Sequence, residues 1–160
     1  MKGNVVMKIE EMINTIQVPQ TDYILIDYDL FFNDNIGKYN KFAVDDLKDI
    51  QNFKNVLYKI QCKDINARLY VCSYSYETVD CNGNKSIYAD CIWINTNMDI
   101  GFINKVFDEY KTICPSEIIS LRETDDFSQE HIYLLKSDGM VLDIKKHNFN
   151  LNDVVTLYWD

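Results

Sequence analysis

The chain predicts an α+β fold: a single domain, residues 1–160, with a largely antiparallel sheet of about 5–7 strands and about three helices packed on it. Three observations point there. Two β-rich runs meet at Asn82-Gly83 and two more at Asp138-Gly139, and strands joined by such short turns are antiparallel. Three other segments carry apolar residues at helical spacing. No Gly/Ser-rich linker, repeat or low-complexity tract divides the 160 residues, a normal length for one domain.

Val5, Ile9, Met12, Ile13 and Ile16 share one helical face, which predicts a helix from about residue 4 to 17, ahead of Pro19. Tyr23 to Phe32, YILIDYDLFF, is rich in β-formers and predicts one strand. Asn33 to Asn40, with Gly37, predicts a loop. A second helix is expected over Val44 to Ile60, with Leu47, Ile50, Lys54 and Leu57 on one side. Asp45 and Asp46 suit its first turn, where the helix dipole favours anions.

Residues 68–79 and 85–95 flank Asn82-Gly83. A two-residue type I′ turn there sets Asp80 opposite Lys85, Tyr76 opposite Ala89, Tyr74 opposite Cys91 and Cys72 opposite Trp93. Thr96 or Asn97 is placed to cap a third helix over about residues 98–111, with Ile100, Ile103, Val106, Phe107 and Tyr110 as its apolar face. After Pro115, Glu117 to Leu121 predicts a strand and Arg122 to Gln129 a polar loop. Residues 130–136 and 140–145 form the second hairpin, and Val154 to Trp159 the last strand.

The charge is uneven. There are 25 acidic side chains against 16 basic ones, a net charge of −9. That disfavours nucleic acid and anionic membrane surfaces as ligands, since both are bound by neutralising phosphates. Residues 22–49 hold Asp22, Asp27, Asp29, Asp34, Asp45, Asp46 and Asp49 against three lysines. Residues 117–130 hold Glu117, Glu123, Asp125, Asp126 and Glu130 against Arg122. Each segment is net −4, so together they supply −8 of the −9. Concentrated acid suits a surface that meets a basic partner, and both segments are then expected on one side of the fold.

The N-terminus lacks an apolar signal core, and no apolar run is long enough to span a bilayer, so the expected compartment is the cytoplasm. Five cysteines without close pairs predict thiols rather than a zinc site. His131 and His147 sit in no catalytic motif, and five glycines cannot build a phosphate-cradling loop. No enzyme activity, metal or cofactor is therefore expected. Tyr70, Cys72, Tyr74 and Tyr76 alternate along one strand and could present an aromatic row.

Asp27-Tyr28-Asp29 after an apolar run resembles the first motif of haloacid-dehalogenase-type phosphatases, in which both aspartates help hold magnesium. Two carboxylates at i and i+2 share a strand face. The chain departs from that pattern at Leu30 and Phe31, and its late acidic pair, Asp125-Asp126, follows the polar run SLRET. A metal-dependent phosphatase or hydrolase using Asp27 and Asp29 is the alternative reading; a non-catalytic regulatory binding domain is another.

The stretch YADCIWINTNMDIGFINKVFDEYKTICPSEI, residues 88–118, resembles bacterial toxin-immunity proteins of the contact-dependent, polymorphic-toxin type. The resemblance implies an antitoxin that binds and neutralises a cognate toxin domain, often a basic nuclease. It carries over no interface residues, because such interfaces differ between families. Charge and aromatic content instead nominate Asp27, Tyr28, Asp29, Phe32, Asp34, Asp45, Asp46, Tyr74, Tyr76, Glu123, Asp125 and Asp126 as partner-binding.

Overall fold

Strand β1 (Tyr23–Asp27) runs through the interior of a seven-stranded sheet and passes directly into a one-turn helix, α1 (Tyr28–Phe32). The computed structural model describes residues 12, 23–32, 40–43, 47–73, 77–79, 85–121, 132–144 and 153–159. After α1 come β2 (Asn40–Phe42), the long helix α2 (Leu47–Lys63), β3 (Arg68–Ser73), β4 (Glu77–Val79) and β5 (Lys85–Ala89). Then follow β6 (Cys91–Asn95), α3 (Ile100–Asp108), a 3-10 turn at Lys111–Ile113 and β7 (Glu117–Ser120). The order closes with β8 (Ile132–Leu135), β9 (Val141–Asp143) and β10 (Val154–Tyr158).

The large sheet has the order β7-β10-β6-β3-β1-β8-β9, and β2-β5-β4 form a smaller one. The fold is thus α+β with an open, largely antiparallel sheet. It is nevertheless mixed: β1 and β8 run parallel, as do β2 and β5.

The predicted strand over Tyr23 to Phe32 ends at Asp27. Two periods overlap in this run. Alternation holds through β1, but Tyr28, Phe31 and Phe32 stand at i, i+3 and i+4 and are all buried, which is helical spacing. Strand β2 begins at the last residue of the predicted loop. Helix α2 runs to Lys63, beyond the predicted end, and α3 is shorter than predicted, starting after Asp99. Thr96 does not cap that helix. Its hydroxyl accepts the Met98 N–H at 3.2 Å and donates to Asp64 Oδ2 at 2.6 Å, tying the loop after α2 to the loop before α3. The helix expected over residues 4–17 lies outside the described residues, apart from Met12, which is helical and buried.

The first hairpin is split between the two sheets. Tyr70 pairs with Trp93 and Cys72 with Cys91, while further out Glu77 pairs with Ile87 and Val79 with Lys85. The predicted register was therefore two residues off in the inner ladder and one off in the outer; the turn itself lies outside the described residues. From Cys72 to Glu77 is five residues, but from Ile87 to Cys91 only four. The odd residue interrupts the ladder, and such a mismatch bends a strand and lets it leave its sheet. In the second hairpin Lys136 N–H donates to Met140 O at 2.9 Å and Gly139 N–H to Lys136 O at 3.0 Å. Gly139 has φ +91°, the left-handed geometry that closes a three-residue loop and suits glycine.

The sheet has two differently covered faces. On one, Ile24, Ile26, Val71, Ile92, Ile94 and Leu157 pack against Phe53, Val56 and Ile60 of α2, Ile103 and Phe107 of α3, and the aromatics of α1. Phe32 stacks on Phe53 with centroids 4.9 Å apart; Phe42 and Trp159 meet Phe53 edge-on at 5.3 and 5.7 Å. The Trp159 indole N–H donates to Ile113 O at 2.9 Å, so this ring is both packed and satisfied. On the other face a separate cluster joins Leu25, Cys72, Cys91, Trp93, Ile132, Leu134 and Val154 to Leu121 and Ile144. Among the described residues every α-helix lies on the first face, and in that sense the second, where Leu121 and Ile144 are in 3-10 geometry, is the helix-free face.

Candidate functional site

Alternation along β1 puts Asp27 on the helix-free face with Leu25, directly opposite Tyr70 on β3. The half-buried carboxylate is held: Ser137 Oγ donates to Asp27 Oδ2 at 3.0 Å, and Ser137 N–H reaches the same oxygen at 3.4 Å. It thereby pins the second hairpin to the end of β1. Burial pushes the Tyr70 hydroxyl above the usual tyrosine range and the Asp27 charge adds to this, while Arg68 opposes it. Glu117 is exposed and pairs with Tyr158, which packs on the same second cluster; its neighbour Ile118 turns to the helices. Both acidic segments thus reach the helix-free face through a described carboxylate. The intervening strands β3, β6 and β10 separate the two by about 19 Å at ~4.8 Å per strand.

Asp29 is exposed on α1. Because β1 stops at Asp27, Asp27 and Asp29 do not share a strand face, and the geometric premise for a shared cation fails. Among the described residues there is no cluster of three or more His, Cys, Asp or Glu side chains suited to a metal.

Tyr28 and Phe32 correct the sequence reading. Each is only 2 % exposed, inside the core under α2, so neither is available as an interface anchor. Asp34, Asp45, Asp46, Tyr74, Tyr76, Glu123, Asp125 and Asp126 lie outside the described residues, as do Cys81, His131 and His147. Cys72 and Cys91 are buried in strands as small apolar side chains, whereas Cys62 and Cys114 are exposed.

The Tyr28 hydroxyl donates to the Phe53 carbonyl at 2.7 Å. Burial first, and the charge of Asp29 second, hold its pKa well above 10.0. In the unfolded chain this phenol ionises near pH 10, whereas in the fold it stays neutral. Its contribution is therefore complete below about pH 10 and is lost above it, by about 1.4 kcal/mol per pH unit. Tyr28→Phe is expected to cost about 0.5–1.5 kcal/mol at pH 7, the worth of one net hydrogen bond, because the Phe53 carbonyl inside α2 keeps its helical donor. Urea unfolding between pH 10 and 11.5 should then show a shallower decline than wild type. Equal slopes would assign the alkaline loss to other groups.

The helix side carries two grooves that charge counting did not reveal. One, about 270 Å³, lies between α2 and α3 and is lined by Lys59, Cys62, Lys63, Phe102, Lys105, Val106 and Glu109. The other, about 430 Å³, lies between α1 and α2, with Tyr28 and Phe32 in its lining and Asp29, Lys54, Tyr58 and Gln61 around them. Lys59 is ion-paired with Glu109 across the first groove. The near-neutral total over residues 50–116 hides this local gathering of lysines.

Among the described residues no helix is long and apolar enough to cross a membrane. No family model matches the chain, and neither a curated protein nor a solved structure does.

Proposed function

We propose that the chain is an immunity protein: a stoichiometric inhibitor that binds a basic, nuclease-type toxin domain in the cytoplasm through an acidic surface. The observation that supports this best is that one described carboxylate of each acidic segment, Asp27 and Glu117, stands on the helix-free face, while Asp29 lies on the helix side. Carboxylates spread over a sheet face imitate the phosphate charge that a nuclease cleft is built to receive. The net charge of −9 steers the encounter at long range. Half-buried Tyr70 and Tyr158 beside the carboxylates offer rigid amphipathic rings for contact. Such a role asks for binding alone.

The test uses the open reading frame immediately upstream and its C-terminal domain. Co-expression should restore growth of cells producing that domain, and the purified pair should form a one-to-one complex. Association should slow about tenfold or more as salt rises from low to high, since steered encounters are screened. Glu117→Lys combined with Asp27→Asn, which keeps an acceptor for Ser137, should slow it further at low salt. No protection, or an association rate indifferent to salt, would overturn the proposal.

A further inference from the structure

Two large apolar side chains stand exposed along α2 and just past its end. Tyr58 is 70 % exposed and Ile65, just past the helix end, is 80 % exposed. Tyr58 and exposed Cys62 stand one turn apart on α2 and Ile65 follows in the turn beyond it, so the three make a ridge that borders the α1–α2 groove at Tyr58. Beside the ridge runs the α2–α3 groove, floored by Phe102 and Val106. Two of its three lysines lie over aromatic rings. The Lys63 ammonium lies 5.6 Å from the Phe102 centroid, and that of Lys59 5.5 Å from Tyr110. Glu109, which also lines the groove, pairs with Lys59; among the described residues neither Lys63 nor Lys105 forms an ion pair, so the rim remains net positive. A chain of net charge −9 therefore carries an apolar groove with a positive rim.

We infer that the α2–α3 face is a second docking surface, and that its occupant is an acidic amphipathic helix of a partner protein. A groove between two helices is the shape into which the ridge of a third helix packs. Its apolar stripe would cover Phe102, Val106 and the Tyr58–Ile65 ridge, while flanking carboxylates meet Lys63 and Lys105. A small ligand seated in about 270 Å³ would leave Tyr58 and Ile65 bare, so the shape favours a macromolecule. This surface lies on the opposite side of the sheet from Asp27 and Glu117, and the inference stands independently of the immunity reading.

The experiment titrates the full chain with fluorescein-labelled model helices of about 18 residues, roughly the length of α2. Both helices carry a leucine stripe; one is flanked by glutamate and the other by lysine. The glutamate helix should bind at least tenfold tighter by anisotropy, with amide shifts confined to residues 58–66 and 102–109. Lys63→Glu with Lys105→Glu should invert the preference. Cys62→Trp fills the groove without altering charge and should abolish binding of the glutamate helix. Equal affinities, shifts on another face, or binding to phosphatidylglycerol vesicles with no binding of the glutamate helix would overturn the inference.

Discussion

Phe53→Ala is expected to lower stability by about 3–5 kcal/mol, the range for deleting a buried aromatic side chain. Phe53 is fully buried where three rings converge: Phe32 stacked on one side, Phe42 and Trp159 edge-on. Alanine would leave those rings facing a void across which they lose dispersion contacts. The backbone carbonyl that receives the Tyr28 hydroxyl is retained, so the loss reports packing alone. At about 2–4 °C per kcal/mol for a chain of this size, the melting temperature should fall by about 6–20 °C. Phe53→Leu keeps most of the volume and should cost clearly less. A loss below about 1.5 kcal/mol for the alanine variant would mean that α2 settles into the vacated space.

Trp93→Ala is expected to cost about 3–5 kcal/mol as well, for a different core. Trp93 is buried in the cluster on the helix-free face, opposite Tyr70 and Thr156 on the neighbouring strands. The other tryptophan, Trp159, belongs to the helix-side cluster and remains as the fluorescent probe of unfolding. Because the sheet separates the two clusters, the losses from Phe53→Ala and Trp93→Ala should add to within about 0.5 kcal/mol, measured in a less destabilised pair such as Phe53→Leu with Trp93→Phe. A coupling well above that would show the sheet itself transmitting strain between its faces.

Features fixed by local chemistry were legible in the chain. The Asp138-Gly139 hairpin rests on one left-handed glycine, and α3 shows its buried stripe of Ile103, Val106 and Phe107 at helical spacing. The end of β1 was not legible, because YILIDYDLFF is rich in strand formers on both sides of Asp27 and only the spacing of Tyr28, Phe31 and Phe32 marks the helix. Tyr28 and Phe32, nominated by their aromatic character, are buried by that helix. The split hairpin depends on one unmatched residue between two ladders, which composition does not reveal. Of the candidate site, the uneven charge could be read directly. The face on which Asp27 and Glu117 stand could not, since that follows from strand parity and from neighbours such as Ser137, 110 residues from Asp27. The basic groove is similar: Lys59 and Lys63 share a helix, but Lys105 joins them only through the packing of α2 on α3.

The parallel pairing of β1 with β8 also fixes an order of events in synthesis. Tyr23 pairs with Ile132, 109 residues later in the chain. At about 5–20 residues per second, a ribosome takes roughly 5–20 s to make the intervening chain. During that interval β1 can pair with β3 on one side while its other edge has no strand to receive. An apolar strand of sequence YILID then presents unmatched amides, the configuration most prone to pairing with another molecule. This edge of β1 waits longer for its partner than the edge of β6 that receives β10, and the wait ends when Ile132–Leu135 emerges and docks.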